Sequence, residues 1–103
     1  MSTYTVTVTG TIFASIVGGD VTMNSDTTII LDVMSESFSE LGTLNFFNLT
    51  ILSIDAGVTY TKVINNGVNS TFSAVGFGDV VLQLEVQDDA ANSDTTTITV
   101  TII

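Results

Sequence analysis

The chain has 103 residues, of which 45% are hydrophobic and 12% are charged. A chain of this size is expected to form a single domain, residues 1–103, that buries about two thirds of its unfolded surface around one modest core. Eleven acidic residues against one lysine give a net charge of −10. This charge repels nucleic-acid phosphates and anionic membranes, so we expect neither as a partner.

Cysteine and histidine are both absent from the sequence. Their absence excludes disulfides and thiolate metal sites, and it removes the commonest general base and transition-metal ligand. Residues 1–4 lack the basic and apolar regions of a signal peptide, and no apolar run approaches the roughly 20 residues of a membrane span. We expect a chain that is made in the cytoplasm, assembled into a larger structure, or cut as a domain from a longer secreted protein.

The first third of the chain predicts three strands. Apolar residues alternate with threonine over residues 4–12, interrupted by Gly10, which is typical of a bulge or a sheet switch. Residues 18–20 (Gly-Gly-Asp) predict a turn, and residues 21–23 a short strand. Residues 28–34 contain successive apolar side chains, a pattern that favours a central strand covered on both faces.

The middle of the chain predicts one short helical turn and two strands. Residues 35–41 have a weak helical spacing that suits no more than one turn of helix. Residues 44–54 form the longest apolar segment, with Phe47, Leu49 and Ile51 on one face. Because the other face is apolar too, this strand either lies centrally or contacts a partner subunit. After a turn at residues 55–57, residues 58–64 alternate, with Val58, Tyr60 and Ile64 on one face.

The last third predicts two hairpins. Asn66-Gly67 favours a type I′ turn, from which residues 68–75 return with Val68, Phe72 and Ala74 on one face. The closing pair places inward the side chains of Val80, Leu82, Leu84, Val86, Ile98, Val100 and Ile102. About seven or eight short strands without a long helix predict an all-β antiparallel sandwich.

Residues 78–88 (Gly-Asp-Val-Val-Leu-Gln-Leu-Glu-Val-Gln-Asp), the Ala-Asn-Ser of 91–93 and the threonine-alternating strand after them resemble the closing hairpin of PKD and related bacterial immunoglobulin-like domains. That hairpin typically runs Gly-x-Tyr-x-Val-x-Leu-x-Val-x-Asp, with tyrosine where this chain has Val80 and a glycine where it has Ala91. The family's tryptophan strand and its flanking prolines are absent here. The resemblance covers about a quarter of the chain and implies an immunoglobulin-like antiparallel β-sandwich. It also implies a module for adhesion, spacing or particle assembly, without catalysis.

The segment between the last two strands is the candidate metal site. Asp88, Asp89, Asn92 and Asp94 crowd one loop, and such oxygen ligands suit Ca²⁺, above all with Asp20 or Asp26 nearby. The alternative is a solvated turn in which Asp and Asn side chains accept hydrogen bonds from their own backbone. EF-hand spacing is absent, and no other cofactor is expected.

Two ranks of alternating threonines are a second feature, and we expect them to lie side by side. The ranks are Thr5, Thr7 and Thr9, then Thr95, Thr97, Thr99 and Thr101. A merged flat array resembles the surfaces of ice-binding proteins. Strand propensity on a solvent face, or burial against a neighbour, explains the same pattern.

Three weaker signals complete the survey. Asn-x-Thr/Ser acceptor patterns at Asn48 and Asn69 are better explained as chance matches in a chain rich in serine and threonine. Glu36 and Glu40 suit an acid–base pair, but a glycosidase needs a long groove that a domain of this size cannot build. Lys62, the only basic residue, either pairs with a carboxylate or protects an edge strand from stray pairing.

These observations favour a non-enzymatic structural protein. We expect a virion component, such as a capsid decoration, cement or spike protein, that associates with its own copies or with coat proteins. The candidate interface residues are Tyr4, Val6, Phe38, Phe46 and Phe77, since apolar residues beyond what a small core needs mark contact surfaces. The alternative is an extracellular PKD-type adhesion or carbohydrate-binding module, located outside the cell or on its surface.

Overall fold

The computed structural model describes residues 12–40, 42–66 and 69–103. Throughout these residues the chain is all-β and contains no helix. The strands are β1 (Ile12–Phe13), β2 (Val21–Met23), β3 (Thr27–Asp32), β4 (Phe38–Ser39), β5 (Leu44–Ile54), β6 (Val58–Asn65), β7 (Asn69–Gly76), β8 (Gly78–Asp88) and β9 (Ser93–Ile102). The predicted all-β class is therefore confirmed.

The strands form three sheets within the described ranges. A four-stranded sheet has the order β2-β9-β8-β5, a three-stranded sheet the order β3-β7-β6, and β1 pairs with β4. Neighbouring strands are antiparallel except β2 and β9, which run parallel from Val21↔Val100 to Met23↔Ile102. The first part of the described chain is thus hydrogen-bonded to the last.

The core is built from alternating side chains of the two larger sheets. All seven residues predicted to point inward from β8 and β9 are buried. Phe72 and Ala74 of β7, also predicted on one face, are buried in the same apolar cluster. Removing this apolar surface from water is the main favourable contribution to folding.

The chain passes between the two larger sheets at two adjacent joints. Residues 55–57 connect β5 to β6 through a turn in which Val58 N–H donates to Asp55 O at 3.0 Å, as predicted. Phe77 connects β7 to β8, and its N–H donates to Gly57 O at 3.0 Å. Gly76 has φ 114°, and a Cβ there would collide with Gly57 O. The second joint therefore requires glycine.

The turn and short strand predicted over residues 18–23 are confirmed. Gly19 N–H donates to Ile16 O at 3.1 Å, and Gly18 has φ 89°. Residues 21–23 form β2.

The central position predicted for residues 28–34 is wrong. β3 is an edge strand of its sheet among the described residues, and the side chain of Ile30 is 70% exposed. In the described part of the chain β5 likewise lies at an edge of its sheet, so the central alternative for residues 44–54 does not hold there. Its predicted inner face is confirmed, since Leu49 is buried and Phe47 and Ile51 pack against the core.

The helical turn predicted over residues 35–41 is replaced by a hydrogen-bonded turn and the two-residue strand β4. The carboxylate of Asp32 accepts hydrogen bonds from Ser35 Oγ, Ser35 N–H and Met34 N–H. These bonds lower the pKa of Asp32 below its usual value, the Ser35 hydroxyl contributing most. They hold the backbone in a turn that competes with a helix. Leu41 lies outside the described residues.

The alternation predicted for residues 58–64 is interrupted by a register shift between Val58 and Tyr60. Val58 is buried, whereas Tyr60 is 52% and Ile64 48% exposed. A β-bulge adds one residue to one strand, so the residues after it face the opposite side from that predicted. The strand over residues 4–12, the Asn66-Gly67 turn and Val68 lie outside the described residues in whole or in part.

Candidate functional site

The acidic turn between β8 and β9 is organised around Asp88. Its side chain is buried, and its Oδ1 accepts hydrogen bonds from Ala90 N–H and Asn92 N–H, both at 2.9 Å. Its Oδ2 accepts from Ser39 Oγ at 2.7 Å and Asn92 Nδ2 at 3.2 Å. The Ser39 hydroxyl contributes most to lowering the pKa of Asp88, burial opposes it, and the Asn92 and Ala90 donors add to it. The carboxylate is thereby held ionised as an acceptor.

The other predicted calcium ligands turn towards different backbone donors. Asp89 Oδ1 accepts from Thr43 N–H at 3.0 Å, and Asp94 Oδ2 accepts from Ala14 N–H at 2.8 Å. Asp20 accepts from Thr99 N–H, further along β9. No group of three or more Asp and Glu side chains within the described ranges is arranged to hold a metal ion.

These hydrogen bonds tie the β8–β9 turn to three other parts of the chain, namely β4, residue 43 and residue 14. Calcium binding by this turn stays a prediction. A rise in the melting temperature (Tm) on adding calcium, reversed by a chelator, is the measurement that tests it.

The three predicted interface phenylalanines that the structure describes are all exposed. Phe38 and Phe46 are 45% and 38% exposed, and Phe77 is 66% exposed. Phe46 pairs with Gln87 near one end of β8, whereas Phe77 precedes the other end, about 30 Å away at the usual rise of a strand. These two residues therefore belong to different surfaces. Tyr4 and Val6 lie outside the described residues.

Phe38 has a partner that the sequence did not indicate. Its ring stacks on that of Phe13, with centroids 5.4 Å apart and planes inclined by 25°. The pairing of β1 with β4 places these residues opposite each other. Both rings remain 45% exposed, so the pair forms a small aromatic surface at the β1–β4 sheet.

A larger apolar surface, not predicted, is the outer face of the three-stranded sheet. The register places Ile30 of β3, Thr71 of β7 and Ile64 of β6 in one row across the sheet. Tyr60 lies four residues before Ile64 in β6, on the same face. The run Ile29-Ile30-Leu31 could have indicated this surface. Successive residues of a strand face opposite sides, so three apolar residues in a row place at least one apolar side chain on the outer face.

Lys62 lies on this same outer face, in the row that also contains Ser73 and Thr28. Its side chain is exposed on an edge strand, and it forms no ion pair with any residue that the structure describes. Both predicted roles, an ion pair with another subunit and protection of the edge, remain open.

The threonine rank of β9 lies on the outer face of the four-stranded sheet. Thr95 and Thr97 are exposed, while Thr99 and Thr101 are half-buried. Thr101 Oγ1 donates to Asp79 Oδ1 at 2.8 Å. The companion rank Thr5, Thr7 and Thr9 lies outside the described residues, so the merged array stays a prediction.

No pocket is present in the part of the chain that the structure describes. Glu36 Oε2 accepts a hydrogen bond from Ser15 Oγ at 3.1 Å, in a turn on the surface. Among the described residues there is no helix long and apolar enough to cross a membrane. The features of the described residues are therefore the exposed sheet faces, the Phe13–Phe38 pair and the hydrogen-bonded acidic turn.

No protein-family model and no curated protein matches this chain.

Proposed function

We propose that this chain is an immunoglobulin-like β-sandwich. Strand order supports the proposal. An immunoglobulin domain carries strands B, E and D in one sheet and C, F and G in the other. Here β3-β7-β6 has the order B-E-D and β5-β8-β9 the order C-F-G. β2 extends the second sheet beside its last strand.

We propose further that the protein is a non-enzymatic structural subunit that works through protein–protein contact. The observation that carries this proposal is the outer face of the three-stranded sheet, where Ile30, Ile64 and Tyr60 are each about half exposed or more. Several large apolar residues exposed on one face of a sheet favour an interaction site on a soluble protein. A virion component such as a capsid decoration, cement or spike protein suits a small acidic sandwich with contact surfaces.

Size-exclusion chromatography with light scattering, over a wide range of concentration, tests the proposed function. We expect association with copies of the chain or with assembled coat-protein shells. A strict monomer that binds neither itself nor any shell contradicts the proposal. Turnover of a substrate by the purified chain contradicts its non-enzymatic part.

A second candidate function is an extracellular PKD-type module for adhesion or carbohydrate binding. The stacked Phe13–Phe38 pair favours it, because exposed aromatic rings offer a flat apolar surface to a sugar ring. Depletion of the protein by insoluble polysaccharides, lost in the Phe38→Ala variant, is the expected result for this function. Retention of the protein in solution with every polysaccharide contradicts it.

A further inference from the structure

We infer that the outer face of the three-stranded sheet docks on the same face of a second copy of this chain. The inference rests on the proposed function and names the partner for one of its surfaces. Three observations on this face carry it: the exposed aliphatic residues, the distribution of charge, and the position of the only lysine.

The face is a regular grid of side chains from three strands. Its rows follow the register: Asp32 and Asn69; then Ile30, Thr71 and Ile64; then Thr28, Ser73 and Lys62; then Val75 and Tyr60. Thr28 Oγ1 and Ser73 Oγ are hydrogen-bonded to each other at 2.7 Å, so two of the hydroxyl groups on this face already have a partner. A flat surface of isoleucine, tyrosine and paired hydroxyl groups loses little hydration on burial against a similar surface.

The charge distribution makes this face the favourable one for self-association. The three strands contain one basic and one acidic residue, Lys62 of β6 and Asp32 of β3, although the whole chain carries a net charge of −10. The outer face of the four-stranded sheet carries Asp79 and Glu85 instead. Two copies repel each other least when they approach through the three-stranded sheet.

The face is also complementary to itself under a two-fold rotation about β7. Lys62 lies on β6 at one side, whereas β3 at the other side begins after Asp26 and ends with Asp32. The rotation lays β6 of one copy over β3 of the other. Each Ile64 then comes over Ile30, and each Lys62 comes over Thr28. Thr28 follows Asp26 by two residues and precedes Asp32 by four. An isologous contact requires this kind of self-complementarity.

Pairing of two copies through β6, an edge strand of the sheet as far as the structure describes it, is the less favourable arrangement. Lys62 lies near the middle of this strand, so an antiparallel pair of β6 strands brings two lysines close together on one face of the joined sheet. Lysines on edge strands oppose such pairing. Docking of the faces avoids this repulsion.

The size of the face sets the expected affinity. Three strands about 4.8 Å apart and eight residues long cover a flat area on the order of 400 Å². This area is below the roughly 800 Å² that each partner buries in a stable complex. We therefore expect a weak dimer with a Kd of about 0.1–1 mM, for which sedimentation at high protein concentration is the suitable measurement.

The experiment compares four variants with the wild type by sedimentation equilibrium. Ile30→Lys is expected to weaken the dimer at least about tenfold, because the new charge is buried opposite Ile64 and near Lys62 of the other copy. Leu52→Lys is the matched control, since Leu52 is 54% exposed on β5 and should leave the Kd unchanged. Ile30→Lys reduces the net negative charge, so general repulsion cannot explain a weaker dimer.

A charge exchange tests the two-fold geometry. Lys62→Glu alone should weaken the dimer about tenfold, by losing the complementary charge. Thr28→Lys combined with Lys62→Glu should restore it, because each new lysine faces the new glutamate of the other copy.

The outcomes separate the inference from the proposed function. Association of the wild type that is equally strong in Ile30→Lys overturns the inference and leaves an assembly role standing. Failure of the charge exchange to restore a dimer weakened by Lys62→Glu overturns the two-fold arrangement. A wild type that neither dimerises near 1 mM nor binds coat shells contradicts both.

Discussion

β5 and β8 are neighbouring strands of the same sheet, and each has eleven residues. Along β8 buried and less buried side chains alternate strictly, with Val80, Leu82, Leu84 and Val86 fully buried. Along β5 only Leu49 is buried, and Phe46, Leu52 and Ile54 are exposed. Among the described residues β8 has a strand on each side, whereas β5 lies at an edge, so β5 buries fewer side chains although its sequence is the more apolar of the two.

The largest expected effect on stability is the difference between two leucine-to-alanine variants, one in each strand. Leu84→Ala in β8 should lower the free energy of unfolding by about 3–4 kcal/mol, because it leaves a cavity in a fully buried position. Leu52→Ala in β5 should change it by less than about 0.5 kcal/mol, since this side chain is largely exposed. Urea denaturation followed by circular dichroism measures both. Equal losses would mean that the exposed face of β5 is covered in solution.

A smaller effect on stability is expected at the edge of β5 that pairs with no strand between residues 12 and 103, residues 41, 67 and 68 apart. Asn65 at the end of β6 binds the backbone of Leu49 twice: Oδ1 accepts from Leu49 N–H at 2.7 Å, and Nδ2 donates to Leu49 O at 3.0 Å. The side-chain amide thus forms the hydrogen bonds with the backbone of Leu49 that a neighbouring strand would otherwise form. Asn65→Ala should cost about 1–2 kcal/mol by leaving these groups without a partner.

The matched control for this change is Asn45→Ala, at an exposed position of β5. Its stability should stay close to that of the wild type. Thermal denaturation of both variants measures the difference, and aggregation confined to Asn65→Ala would show that the amide protects the edge. Equal Tm values for the two variants would contradict this role.

The smallest expected effect is on the pH dependence of stability, and it comes from Asp88 of β8, which pairs with Leu44 of β5. The pKa of Asp88 is lowered in the folded protein, chiefly by the Ser39 hydroxyl. Its contribution to stability is therefore present above the unfolded pKa of about 3.9 and is lost as the pH falls through the folded pKa.

Urea midpoints measured from pH 6 down to pH 2.5 test this linkage. The advantage of the wild type over Asp88→Asn should shrink as the pH falls. The change is modest because a protonated carboxyl group keeps one acceptor oxygen and part of the hydrogen bonding. A constant difference across this range would contradict the role of the charge.

The contrast between β5 and β8 also explains what could be predicted from the sequence. Period-2 alternation specified all seven apolar residues that point inward from β8 and β9, because a side chain on a half-buried strand has only two directions. It did not indicate the buried Asp88. Apolar residues on both faces did not distinguish a central strand from an edge strand with an exposed apolar face. That ambiguity produced the error for β3 and left β5 open.

Local rules were insufficient where the deciding contact came from elsewhere in the chain. The bulge before Tyr60 turns the side chains of the rest of β6 to the opposite face, and no residue type in that strand predicts it. The acidic turn was located correctly. Its dependence on Ser39 and on backbone donors at residues 14 and 43 arises from tertiary contacts that no spacing encodes.

The parallel pairing of β2 with β9 has a consequence for how the protein is made. During synthesis, Val21 emerges from the ribosome long before Val100, its partner in the sheet. β2 therefore has no partner strand until β9 has been translated, whereas β1 can pair with β4 much earlier. Such distant pairings slow folding and lengthen the interval in which unfinished chains aggregate. The high negative charge keeps nascent chains apart during that interval.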